Sequence, residues 1–175
     1  MTTAIRGLPA LSLMCAALFH PATAVADDPS TQPIAEGSFT SAADPGWIFF
    51  QPAGFDGGCG LGPDGTVGCD IVPASSADGT PIQAGQPGPP GSYSCEGQRC
   101  PLPPPGANQT VVTEQAPAEY IQADSQSFTR DVGVLPPGYR LVNGSAWCSL
   151  SEQATIRCMS GTNGFTLNAT FGILD

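Results

Sequence analysis

Near the end of the chain apolar and polar side chains alternate: Phe165, Leu167, Ala169, Phe171 and Ile173 share one face, and Thr166, Asn168, Thr170 and Gly172 the other. A two-residue period of this kind predicts a half-buried β-strand over the whole segment. Earlier, WIFFQ at 47 to 51 reads as a short buried strand stopped by Pro52. TVVT at 110 to 113, AEYIQ at 118 to 122 and SFTRDVGVL at 127 to 135 read as further strands. The one helix-like stretch, around Glu114 to Ala123, is interrupted by Pro117, which lacks a backbone donor. The pattern therefore predicts an all-β fold. Residues 27 to 46 are polar and turn-rich without sustained periodicity, and are expected to form a flexible leader, with order beginning at Trp47. A second low-complexity tract, 73 to 106, contains GQPGPPG and PLPPPG. Its prolines bar central strand positions and its glycines disfavour helix, so a long surface excursion is expected, serving as a rigid spacer rather than a proline-rich recognition segment.

The most informative pattern is a repeat. CGLGPDGTVGC at 59 to 69 and CSLSEQATIRC at 148 to 158 share the form C-x-L-x4-T-[VI]-x-C. Pairing Cys59 across from Cys69 sets Leu61 opposite Val67 and Gly62 opposite Thr66, leaving Pro63-Asp64-Gly65 as a three-residue loop. That loop has the chemistry of a type I turn followed by a left-handed residue, with proline presetting the first φ and glycine accepting the last. Cysteines two residues from Leu61 and Val67 face the same way, so each disulfide would lie over an apolar patch. The second copy sets Leu150 opposite Ile156, but its loop, Glu152-Gln153-Ala154, lacks the glycine. Alanine is costly in a left-handed position, which leaves another turn open for this hairpin. Two such hairpins point to a pseudo-duplicated β architecture.

The N-terminus changes the picture from fold to compartment. Arg6, the apolar run LPALSLMCAALF and the small-residue ending HPATAVA read as a secretory signal peptide at 1 to 26, with an A-x-A site at Ala24 and Ala26 and cleavage before Asp27. The apolar run is too short to span a membrane, and Cys15, inside it, is poorly placed for lipidation. The 149 residues from Asp27 to Asp175 suit one domain, at 47 to 175. They retain Cys59, Cys69, Cys95, Cys100, Cys148 and Cys158, an even number that reads as three disulfides with about 15 connectivities to choose from. The local pairings 59 with 69, 95 with 100 and 148 with 158 are the simplest. Fifteen acidic residues against four arginines (15 − 4) leave this part at −11 with no lysine. Such a field repels phosphate backbones and anionic lipid, so neither nucleic acid nor a membrane surface is an expected partner.

Composition also removes chemistry. His20, the one histidine, leaves with the signal peptide. Ser-His-Asp triads, Cys-His nucleophiles and the usual catalytic zinc sets then lack their parts, as does lysine-based covalent chemistry. Carboxylates remain: Asp56, Asp64, Asp70 and Asp78 flank the first hairpin, and Glu114, Glu119, Asp124 and Asp131 populate the middle. A glycosidase would need two of them facing each other across a groove, usually beside aromatic rings. No E-x-x-E or D-x-D cluster adjoins Trp47 or Trp147, the two tryptophans, which are the candidate ligand contacts; packing over the adjacent disulfide is the stronger role for Trp147. No calcium loop or other metal set is matched, and no cofactor is implied.

The order FFQPAGFDGGC, GTVGCDI, then LPPGYRLVNGSAWCSLSEQATIRCMSGTNGFTLN resembles a family of small secreted proteins of mycobacteria and related actinobacteria. The matching positions are Phe50, Pro52 and Gly54 before the first cysteine, Leu135, Pro136 and Gly138 leading into the second hairpin, and Gly164 and Phe165 after the last cysteine. The resemblance covers residues 47 to 72 and 135 to 171 and leaves the proline-rich middle unmatched. It implies secretion and a disulfide-held β fold, with no substrate, cofactor or partner. Many members carry histidine in a G-H-G-F motif where this chain has Asn163, so no role of that histidine transfers. The expected product is an exported, non-enzymatic structural or ligand-binding domain of the cell envelope or medium. The rival is a carboxylate-dependent hydrolase acting on a wall or secreted glycan.

Overall fold

The computed structural model describes residues 28–73, 92–95 and 98–175, as backbone alone at 92–95, 98 and 99. Among the described residues there is no helix, and the strands are β1 (Ile48–Pro52), β2 (Cys59–Leu61), β3 (Val67–Cys69), β4 (Ser92–Cys95), β5 (Gln98–Pro101), β6 (Gln109–Val112), β7 (Glu119–Ile121), β8 (Val134–Leu135), β9 (Tyr139–Asn143), β10 (Ala146–Leu150), β11 (Ile156–Ser160), β12 (Asn163–Leu167) and β13 (Gly172–Leu174). They form one sheet in the order β7-β6-β3-β2-β1-β8, a second in the order β13-β12-β11-β10-β9, and a separate β4-β5 pair. The protein is a small, disulfide-stabilised all-β domain, antiparallel at every strand pair but β1-β8 among the described residues.

Both hairpins adopt the register that their cysteines dictate. Leu61 stands opposite Val67 and Cys59 opposite Cys69, while Leu150 stands opposite Ile156 and Cys148 opposite Cys158. Both disulfides are closed, with Cα atoms 4.0 and 4.1 Å apart. The duplication extends beyond the hairpins. Phe50 pairs with Cys59 on one side of the first hairpin as Leu141 pairs with Cys148 on the second. On the other side, Thr110 pairs with Cys69 as Phe165 pairs with Cys158. Thus β1-β2-β3-β6-β7 and β9-β10-β11-β12-β13 are two copies of a five-stranded meander. They stack face to face, β10 against β2, β11 against β3 and β12 against β6. Cys59, Leu61, Val67, Cys69, Cys148, Leu150, Ile156 and Cys158 are fully buried between them. Alternation along each strand puts these residues on one face, so a single register error would turn the whole apolar set outward.

The copies differ where the chain passes from third to fourth strand. In the second, a tight turn joins β11 to β12, with Ser160 paired to Asn163. In the first, residues 70 to 108 intervene between β3 and β6 and include the β4-β5 pair. The proline-rich tract expected at 73 to 106 thus contains a hairpin; its remainder at 74–91 and 96–97, like the signal peptide expected at 1 to 26, lies outside the described residues. Cys100 is buried and disulfide-bonded. The expected pairing of 95 with 100 turns on the Cys95 side chain, which is outside the described residues.

Three further sequence expectations differ from the structure, and one strand was not expected at all. Residues 28 to 46 are docked rather than free: Ala35 and Phe39 join the core, Ala35 N–H donates to the Arg140 carbonyl at 2.9 Å, and Phe49 N–H donates to the Phe39 carbonyl at 2.7 Å. One apolar residue every few positions suffices to anchor an extended strap that shows no period of its own. The strand expected over 164 to 174 is a hairpin, because Asn168 Oδ1 accepts from Thr170 N–H and Phe171 N–H and closes a turn in mid-pattern. Of 127 to 135, only Val134 and Leu135 are strand; they lie parallel to β1. The β9 strand was missed. Its signal was Gly144-Ser145, a two-residue loop with glycine at the first central position, as a type II′ hairpin requires.

The second hairpin also uses the turn that its sequence disfavours. Ser151 N–H donates to Thr155 O at 2.9 Å as Gly62 N–H donates to Thr66 O at 2.7 Å, and Ala154 sits at φ +53° where Gly65 sits at +83°. Register imposed by the disulfide and the Leu150–Ile156 pair outweighs the cost of a left-handed alanine. Replacing Ala154 by Gly is expected to stabilise the fold by roughly 0.5–1 kcal/mol, the relieved strain less the glycine's extra chain entropy. A lower urea midpoint than wild type would contradict this.

Candidate functional site

The outer face of the first sheet is built on glycine. Gly60 and Gly68 are directly paired across β2 and β3. A Cβ on Gly68 would fall 2.0 Å from the ring of Phe128, and one on Gly60 would fall 2.9 Å from that of Phe49. The corresponding pair in the second sheet, Ser149 and Arg157, carries side chains. Only the first sheet therefore lets a loop lie flat on it. Trp47 stacks on Phe49 with ring centroids 5.5 Å apart and tilts against Phe128 at 6.2 Å. Arg130 lies 4.6 Å over the Phe49 ring and is held by Asp44 through a 2.9 Å ion pair.

The loop that delivers Phe128 is clasped by Asp70, directly after β3. The buried Asp70 carboxylate accepts hydrogen bonds from Ser127 N–H (2.9 Å), Phe128 N–H (2.9 Å), Thr129 N–H (2.7 Å), Thr129 Oγ1 (2.7 Å) and Gln109 Nε2 (2.7 Å). Successive backbone N–H groups converging on one carboxylate form an anion nest, and here the chain supplies its own anion. Asp64 has an equally local task. Thr66 N–H donates to it at 3.0 Å, which holds its carboxyl below the usual range, as hydrogen bonding to Arg130 does for Asp44 and to Ser30 N–H for Asp28.

These placements bear on each residue proposed from sequence. Trp47 is half-buried on the outer face of the first sheet; Trp147, next to the inward Cys148, is on the outer face of the second, with Arg157 6.0 Å from its ring. The fold does not bring the two tryptophans to a common cleft. Asp56, Glu114, Glu119, Asp124 and Asp131 stand exposed, and Asp78 is outside the described residues. No group of three or more His, Cys, Asp or Glu side chains gathers at metal-binding distance among the described residues. Asn163, at the position of the resembling family's histidine, donates from Nδ2 toward the carbonyls of Thr113, Glu114 and Ala116, tying down the β6-β7 turn.

What sequence reasoning missed is an edge. A cleft of about 620 Å³ is lined by Pro33, Ile34, Ala35, Glu36, Pro136 and Tyr139. It lies where the strap at 33 to 35 runs beside β9, with a parallel bridge from Ile34 to Arg140. Among the described residues, the large hydrophobic side chains that stand exposed are Ile34 (58%), Val134 (55%) and Tyr139 (39%). Two line the cleft, and the third is two residues from Pro136. Nothing in the sequence separates these three from core residues of the same types.

The site and fold together define a two-sheet, disulfide-pinned β domain with one apolar edge. Disulfides point to folding in an oxidising compartment, and no helix among the described residues is long and apolar enough to cross a membrane. No family model, curated protein or solved structure matches the chain.

Proposed function

We propose that this chain is an exported, non-enzymatic protein of the cell envelope or medium with a structural or ligand-binding role; the resemblance to the mycobacterial secreted family supports export alone. The observation that carries the reading is the use made of the carboxylates. Asp70, Asp64 and Asp44 are engaged in holding a loop, a turn and an arginine. Acid-base chemistry on a glycan calls instead for a carboxyl with a raised pKa facing a second one in a groove. The carboxyls with a displaced pKa named above are all displaced downward, toward permanent ionisation. Net charge supports the same reading by keeping the protein soluble and away from anionic surfaces.

Native mass spectrometry of the protein recovered from culture medium tests the proposal, alongside incubation with wall glycan fragments and assay of new reducing ends. A mass equal to residues 27 to 175 less six hydrogens, bare or with a component shed on denaturation, together with intact glycan, is the expected result. Catalytic release of reducing ends, abolished by exchanging an exposed carboxylate for its amide, would overturn it.

A further inference from the structure

Ile34 is about a hundred positions from Tyr139 in sequence, yet the fold brings both exposed apolar side chains to one cleft, with exposed Val134 two residues from Pro136 in its wall. The edge already binds extended chain. Pro33 O accepts from Arg140 N–H at 3.0 Å and Arg140 O from Ala35 N–H at 2.9 Å, so the strap is held as a short added strand beside β9. Further along the strap, Ser38 O accepts from Gly133 N–H at 2.7 Å, directly before β8, a two-residue strand paired to β1 in which Val134 is exposed. Prolines 33 and 136 and the Tyr139 ring make a shallow open trough, the surface that suits an extended or polyproline-like backbone. Glu36 is the one charged residue in its lining. The exported chain as a whole is at −11.

We propose that this edge is the docking surface for an extended, positively charged polypeptide segment bearing proline or aliphatic side chains, the apolar side chains seated on Ile34, Tyr139 and Pro136 and a basic one on Glu36. Charge decides among occupants. A second copy of the chain would bring −11 against −11, and an anionic lipid surface is repelled in the same way. A compact small molecule would remain largely in water in so open a trough. The inference rests on the reading of the protein as a binding module and names its partner class.

The test uses the exported chain with its disulfides formed, ¹⁵N-labelled, titrated with a synthetic peptide of three Arg-Pro-Leu-Pro repeats and with its Glu-Pro-Leu-Pro counterpart. Amide shifts confined to 33–36 and 134–140 are expected with the basic peptide and none with the acidic one. Tyr139→Ala should weaken binding about tenfold, as loss of a central aromatic anchor does. Glu36→Gln should weaken it about threefold and flatten its salt dependence. Tyr139 and Glu36 are exposed, so both variants should keep the wild-type spectrum elsewhere. Absence of localised shifts at millimolar basic peptide, equal binding of the acidic peptide, or concentration-dependent self-association through the same amides would each overturn the inference. Glycan turnover with peptide binding intact would instead sink the non-enzymatic reading alone.

Discussion

Asp70→Ala should lower the stability of the domain by about 3–5 kcal/mol, the range for breaking one side of a buried charged hydrogen-bond network. The loss has little to do with volume. Ser127, Phe128 and Thr129 N–H, Thr129 Oγ1 and Gln109 Nε2 all point at this carboxylate, and alanine leaves them facing apolar surface. Asp70→Asn separates packing from acceptor capacity. Its shape is the same, but its NH₂ would meet donors, so it should destabilise nearly as much. Because Phe128 packs against Trp47, tryptophan fluorescence should shift toward the red in both variants as the loop lifts, before the disulfide core opens. An Asp70→Asn protein with a wild-type urea midpoint and an unchanged spectrum would show that the loop is held by something else.

Removing the two core disulfides together, with Ala at 59, 69, 148 and 158, should cost roughly 5–6 kcal/mol, about 3 kcal/mol for each ring spanned by a sequence separation of 10. That is comparable to the whole 5–15 kcal/mol by which a domain is ordinarily stable, so the quadruple variant should be largely unfolded at 37 °C. The single-disulfide variants should stay folded with lowered melting temperatures. All four cysteines are fully buried, so a mild thiol reductant should act on the wild-type protein at the rate of unfolding and independently of reductant concentration. Rapid reduction proportional to reductant under native conditions would contradict the buried, face-to-face placement of the two bridges.

Both predictions come from features that the sequence discloses unequally. The registers of the hairpins at 59 to 69 and 148 to 158 were readable to the residue, because a cross-strand cysteine pair and alternation act within eleven positions and agree, joined in the first by its turn chemistry. The same local logic misled at 164 to 174, where alternation continues through a turn closed by Asn168. It misled again at Ala154, where an unfavourable local conformation is imposed by the pairing on either side of it. The strap at 28 to 46 has no periodicity to read, since its anchors, Ala35 and Phe39, are too sparse. The two tryptophans singled out from sequence, Trp47 just before β1 and Trp147 in β10, take the outer faces of different sheets, which depends on strand registers that composition does not contain.

By itself the sequence determined the all-β class, the two disulfide-closed hairpins with their registers, and a composition that is acidic, with one histidine and no lysine. These are properties of composition or of contacts within a few residues. Only the tertiary structure decided that the two meanders face each other and that Gly60 and Gly68 form a floor for Phe128. It also decided that Asp70 closes on a loop 57 to 59 residues away, and that Ile34 and Tyr139 line one cleft. The reason is distance along the chain. Each of these depends on pairings between segments whose separate patterns are satisfied equally well by any buried neighbour, and only the packing of the whole chain selects which neighbour it is.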